Sequence, residues 1–267
     1  MMIRPPGSDS IKCDTFTGVN HHSLKPVPAT PLRLCLWSSP RNVSTALMYA
    51  FAQRPDTTVV DEPLYGFYLR ESGADHPGRE LVMASMNCNG TEVIGQVLLG
   101  DYPTPVVFFK HMTHHMVGGL PDDFMQHMVN IFFIRDPRAI LRSYAKVIET
   151  PTLADIGLEQ QLVYLQKAHD RGCRYAILDA GDLLRSPGET LQQLCTEIGI
   201  PYYPEMLHWS PGPRKEDGVW APYWYHQVHA STGFHDPGQQ QGALPDHLLP
   251  LYEQAAPLYA QLKNWNK

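Results

Sequence analysis

Five short apolar runs punctuate the chain, separated by longer stretches whose apolar positions recur at helical spacing. The runs are Leu32–Trp37, Thr57–Val60, Val106–Phe109, Val129–Ile134 and Tyr175–Leu178. Several are continuous rather than alternating, as strands covered on both faces of a parallel sheet must be. Between them, Ser44–Gln53 spaces Leu47, Met48 and Phe51 as a helix does, and Leu81–Leu99 reads as one or two helical pieces broken near Gly90. Pro137 holds a first-turn position ahead of Ala139–Tyr144. Leu158–Ala168 and Pro187–Ile198 are amphipathic, Gly199 stops the latter, and Leu248–Leu262 is a terminal helix. Strands alternating with helices predict an α/β fold, a doubly wound, mostly parallel central sheet flanked by helices. Ligands in such sheets lie at the carboxyl ends of the strands.

Length fits this picture: 267 residues suit one domain over 31–267, behind a Pro- and Gly-bearing arm at 1–30 that reads as flexible. The net charge of −6 argues against a nucleic-acid partner but leaves room for a local cluster of arginines on a small anion. No apolar stretch has the length of a membrane span or the form of a signal peptide, so the expectation is a cytoplasmic protein with no membrane partner. The five cysteines (Cys13, Cys35, Cys88, Cys173, Cys195) include no C-x-x-C pair, which suits a reducing compartment. Cys35 and Cys195 read as small core residues.

Two strand–helix junctions carry anion chemistry. Ser38-Ser39-Pro40-Arg41-Asn42-Val43-Ser44-Thr45 follows the first strand. Such a junction aims backbone amides and a helix N-terminus at the turn. Arg41 adds a forked cation, and Ser44 and Thr45 add hydroxyls. The segment lacks the glycines and lysine of G-x-x-x-x-G-K-[ST], which weighs against magnesium-dependent nucleotide hydrolysis. The second junction is Arg135-Asp136-Pro137 at the end of the fourth run, with Ser143 two helical turns on.

Together these segments resemble the sulfotransferase family. Its members have a 5′-phosphosulfate loop of the form P-[RK]-[ST]-G-[ST]-[ST] and a 3′-phosphate segment, R-[DN]-P, with a serine eight residues past the arginine. Pro40–Thr45 is similar to the first, with Asn42-Val43 in place of Ser/Thr-Gly. Arg135-Asp136-Pro137 and Ser143 match the second, about a hundred residues later. Arg214-Lys215 looks like the family's late R-K-G loop, with Glu216 replacing glycine. The resemblance spans Leu32 to Phe234. It implies a P-loop-like sulfotransferase fold and 3′-phosphoadenosine 5′-phosphosulfate (PAPS) as sulfuryl donor. Ser39, Arg41, Asn42, Val43, Ser44 and Thr45 would hold its phosphosulfate end, and Arg135, Ser143, Arg214 and Lys215 its 3′-phosphate. Val43 resists positive φ, so the turn is expected to be ordinary there, or its contacts to shift toward Asn42 and Ser44.

An acceptor hydroxyl also needs a general base. Glu62, before Pro63, ends the second run, and Pro63 biases it toward extended backbone. Lys110 ends the third run and is a candidate for the sulfuryl oxygens. His111, His114 and His115 follow it, and the family's K-T-H register does not decide among them as base; His111 prolongs the strand, while His115 is expected to face inward on a following helix, and either could accept a proton. Without a carboxylate at ligand spacing, the histidines predict no metal. Trp220, Tyr223, Trp224 and Tyr225 could stack on adenine or wall the acceptor pocket. The acceptor is expected to be a small soluble molecule offering a hydroxyl, an amine or an activated carbon, and a homodimer is left open. The alternatives are a P-loop-like nucleotide kinase or phosphotransferase, and a non-catalytic nucleotide-binding module.

Overall fold

A computed structural model of the chain describes residues 30–145, 150–235 and 243–265. Apart from Thr30, the arm expected at 1–30 lies outside them. All five apolar runs are strands: β1 (Leu32–Ser38), β2 (Thr57–Asp61), β3 (Val106–Met112), β4 (Val129–Ile134) and β5 (Arg174–Asp179). They form one parallel sheet in the order β2-β3-β1-β4-β5.

The helices of the first half are α1 (Ser44–Ala52), α2 (Tyr65–Ser72), α3 (Arg79–Ser85), α4 (Gly90–Val93), α5 (Pro137–Tyr144) and α6 (Leu153–Ile156). Those of the second are α7 (Leu158–Asp170), α8 (Ala180–Arg185), α9 (Pro187–Ile198), α10 (Ala221–Trp224), α11 (His226–His229) and α12 (Leu249–Lys263). Gly199 stops α9 with φ 78°. The helical stretch expected over Leu81–Leu99 breaks just before Gly90, which opens α4 after an Asn89 cap. Glycine is needed there for packing, since a Cβ would stand 2.6 Å from Leu120 and 2.8 Å from Phe67.

Strand alternation sends side chains to two cores. Leu34, Leu36, Phe108 and Phe133 meet α1, α8 and α9 on one face. Cys35, Trp37, Phe109 and Phe132 meet α5, α7 and α12 on the other. Each fully buried large side chain contributes roughly 1.5–3 kcal/mol, so these two layers hold the strand ends in fixed register. Cys35 and Cys195 are indeed buried, unpaired core residues. From β1 the chain crosses over β3 to reach β2, and from β4 it passes the other way to β5. The connections therefore diverge between β1 and β4, the place where open α/β sheets form a ligand crevice.

Candidate active site

The turn after β1 is held in an unusual backbone. Val43 has φ 55° and ψ 23°, and Arg41 has φ 62°. The sequence argues against positive φ at Val43, and the structure corrects it. A left-handed β-branched residue costs roughly 1–3 kcal/mol. The fastening comes from buried Asn42, whose amide donates to the Phe133 carbonyl of β4 and accepts from Ser38 Oγ at 3.1 Å. Asn42 thus anchors the turn to β4, and its side chain is not free for the donor contact expected of it. Among the described residues no side chain caps α1; the Ala46 and Leu47 amides bond the Val43 carbonyl, and Ser44 and Thr45 stand ahead of them at the helix N-terminus. Ser39 Oγ is buried and has no partner among the described residues.

The two anion segments meet across the crevice. Arg41 Nε donates to Ser143 Oγ at 2.8 Å, and Arg135 donates to the Arg41 carbonyl at 2.5 Å. Burial lowers the Arg135 pKa, and the Arg41 charge lowers it further, against Asp136 and Asp179. Among the described residues neither guanidinium has a carboxylate at ion-pair distance. Two partly buried like charges without a counter-ion suit a polyanion with paired acceptor oxygens.

The ends of β2 and β3 hold a different arrangement. Lys110, 1% exposed, donates to Asp61 Oδ1 (2.9 Å), Glu62 Oε1 (2.5 Å) and Tyr225 Oη (2.6 Å). These are all three of its N–H bonds. The sulfuryl-oxygen contact expected of Lys110 has no donor left in this arrangement, and its place is between the carboxylates. Glu62 has φ 41° rather than the extended backbone expected before Pro63. Its amide donates to the Lys110 carbonyl (2.8 Å), and its carbonyl accepts from Tyr65 (3.0 Å) in the turn into α2.

One ammonium cannot neutralise two buried carboxylates. Asp61 also accepts from Tyr225 Oη (2.7 Å) and from the Gly218 amide (3.5 Å). Glu62 is held less well: burial raises its pKa, Lys110 lowers it and Asp61 raises it, and the net direction is up. A glutamate with a raised pKa is suited to take a proton near neutrality. Lys110 stays charged, because the two carboxylates outweigh its own burial.

His115 lies in a short 3₁₀ turn, Thr113–His115, rather than in a helix, and faces inward as expected. Its Nε2 is 3.8 Å from Glu62 Oε2, and its ring packs on those of Tyr65 (5.1 Å) and Tyr68 (4.8 Å). His111 continues β3 but points to the opposite face, edge-on to Trp37 at 4.8 Å. Burial pushes His111 down to about 3 and His115 well below its usual value. Neither titrates near neutrality.

The late segment closes on the β2 side. The Arg214 guanidinium lies over the Tyr49 ring at 4.9 Å. Its amide donates to Asp217, which also accepts from Tyr49 Oη (2.6 Å) and pairs with His229 (2.9 Å). Lys215 is exposed. These contacts lead to Asp61 through Gly218, whereas Arg135 and Ser143 lie beyond β1 on the β4 side. Trp220 and Tyr225 are buried in the wall beside Glu62, while Tyr223 and Trp224 are exposed at its rim. Sequence reasoning missed Tyr225 as a hydrogen-bonding member, and it missed Gln161, which ties α7 to the carbonyls of Trp37 and Phe133. Neither carries a local motif. Among the described residues no group of three or more His, Cys, Asp or Glu gathers as metal ligands, and no helix is long and apolar enough to cross a membrane.

An arginine-lined crevice at the β1–β4 divergence of a parallel α/β sheet has the chemistry to suit an anion. The chain belongs to the sulfotransferase-domain family, which it matches over residues 32–266. It is 40% identical over 236 residues to branched-chain-amino-acid aminotransferase-like protein 1 of Arabidopsis thaliana, a match covering 88% of this chain and 42% of that protein. The corresponding protein 2 of the same plant is 38% identical over 227 residues, covering 85% and 40%. The chain therefore spans about two fifths of the length of these relatives. Among solved structures, a sulfotransferase domain from the curacin biosynthetic pathway aligns with a TM-score of 0.46 at 14% identity, over 88% of this chain and 95% of that one.

Proposed function

We propose that the chain transfers a sulfuryl group from PAPS to a small acceptor (a hydroxyl, an amine or an activated carbon), releasing 3′-phosphoadenosine 5′-phosphate. The observation that carries this reading is the Arg41–Ser143 hydrogen bond, with Arg135 beside it. It joins the two segments that would separately hold the phosphosulfate and the 3′-phosphate. The donor supplies an activated S–O bond. Arg41 and the first-turn amides of α1 neutralise the charge that builds on the departing 5′-phosphate. Arg135 and Ser143 hold the 3′-phosphate, and Arg214 and Lys215 stand on the segment assigned to cover the donor.

Glu62 is the proposed base. It takes the acceptor proton as the acceptor-to-sulfur bond forms and the sulfur-to-phosphate oxygen bond breaks. His115, neutral, packs beside it and orients the carboxylate. Lys110 keeps the pair of acids from both protonating. No step calls on a metal. We assign the work to the cytoplasm, on a freely diffusing acceptor and without nucleic acid or membrane as partner.

The test is turnover of radiolabelled PAPS against a panel of small alcohols, phenols and amines. Glu62→Gln is expected to lower kcat by about 10²–10⁴-fold, the range for losing a general base, and His115→Ala by less. Wild-type rates in both variants would refute the assignment.

A further inference from the structure

The carboxylate pair at the end of β2 is completed from far along the chain. Tyr225 lies between α10 and α11, 164 residues after Asp61, and its hydroxyl is buried at the centre of the cluster. That oxygen accepts from Lys110 Nζ at 2.6 Å and from Trp220 Nε1 at 3.0 Å. A phenolic oxygen has two lone pairs and one hydrogen. With both lone pairs engaged, the single hydrogen goes to a carboxylate: Asp61 Oδ2 at 2.7 Å, with Glu62 Oε1 further off at 3.5 Å. The ring adds a cation–π contact, its centroid 4.9 Å from Lys110 Nζ.

We infer that Tyr225 is a positioning residue: its hydroxyl fastens Asp61 and Lys110 together and so leaves Glu62 as the carboxylate that exchanges a proton with the acceptor. The inference rests on the reading of Glu62 as base. Asp61 has two close donors, Lys110 (2.9 Å) and Tyr225 (2.7 Å), with the Gly218 amide at 3.5 Å, whereas Glu62 has one, Lys110 (2.5 Å), with Tyr225 at 3.5 Å. The charged and titratable groups facing Glu62 are Asp61 of β2, Lys110 of β3, His115 of the following turn, Tyr65 of α2 and Tyr225 itself. Of these Tyr225 is a neutral donor whose single hydrogen goes to Asp61, with Glu62 further off.

Removing a neutral donor from a carboxylate pair disfavours its fully ionised form, so the proton affinity of the pair rises. Tyr225→Phe keeps the ring, its packing and the cation–π contact. The experiment follows the carboxyl resonance of Glu62 through a pH titration of protein labelled with ¹³C at the glutamate carboxyl, the signal being assigned with Glu62→Gln. Tyr225→Phe is expected to move the Glu62 midpoint upward by about one pH unit. Trp220→Phe leaves the tyrosine in place but removes one donor to its hydroxyl, and should move the midpoint the same way by less. It serves as well if Tyr225→Phe fails to fold. A purely structural tyrosine would lower Tm in both variants with the midpoint unmoved, and that result, or a downward shift, overturns the inference. Neither donor nor acceptor enters the titration, so it can fail while sulfuryl transfer stands. If instead the midpoint moves but Glu62→Gln turns over normally, the base reading falls, and the positioning role falls with it.

Discussion

On the β4 side of the crevice, Arg135 holds the Arg41 carbonyl and Ser143 of α5 accepts from the Arg41 side chain, and no described carboxylate answers the two guanidiniums. On the β2 side, Lys110 spends all three of its N–H bonds on Asp61, Glu62 and Tyr225. The first region is positively charged. The second carries its own counter-ions and one surplus negative charge. Each suits the role proposed for it. A site for a polyanion gains most from cations that are unpaired until the ligand arrives. A base needs a carboxylate poised between charged and neutral, which burial and competition for one ammonium provide.

The sharpest way to break this comparison is Lys110→Met. It leaves Asp61 and Glu62 buried without their cation, and removing one partner of a buried ion pair costs about 3–5 kcal/mol. Urea unfolding at neutral pH should show that loss, and adding Asp61→Asn with Glu62→Gln should recover much of it. A variant as stable as wild type would mean that the carboxylates are not held by Lys110.

Acid sharpens the contrast next. His111 is pushed to about 3 and His114 to about 4, both by burial first. Unfolding returns them to about 6.5, so between these values the unfolded chain binds more protons than the native one. Stability from these groups is full above pH 6.5 and is lost as pH falls, at about 1.4 kcal/mol per pH unit for each histidine. Glu62, shifted upward, works in the opposite sense and softens the slope. Urea midpoints across pH 7 to 5 should therefore fall toward acid, and a flat profile would contradict the burial of these rings.

The smallest effect concerns the strained turn. Val43→Gly relieves the left-handed conformation but gives up valine packing and adds chain entropy in the unfolded state. Stability is expected to change by less than about 1 kcal/mol, with donor affinity preserved. A large loss of affinity would mean that the valine side chain, rather than the backbone it adopts, shapes the site.

The sheet was legible because its strands include near-continuous apolar runs such as Val129–Ile134, buried on both faces. The donor side was legible for a related reason. Pro40–Thr45 and Arg135–Ser143 each follow one strand, so short spacings carry their geometry. Two details were not. The positive φ of Val43 is imposed by Asn42 reaching a carbonyl of β4, a contact no local pattern announces. The hold on Lys110 comes from Asp61 and from Tyr225, the latter more than a hundred residues away. Tyr225 itself read as one ring in an aromatic-rich stretch.

The claim that joins these regions is that the arginine crevice binds PAPS. Its most direct test is the thermal stability and affinity of the protein with 3′-phosphoadenosine 5′-phosphate, compared with ATP–magnesium, for wild type and Arg135→Ala. The account predicts saturable stabilisation by the bisphosphate, exceeding that by ATP–magnesium, and affinity weakened about 100-fold in the variant, the scale of losing a charge-assisted contact. Stabilisation by ATP–magnesium but not by the bisphosphate, or unchanged bisphosphate affinity in Arg135→Ala, would contradict it.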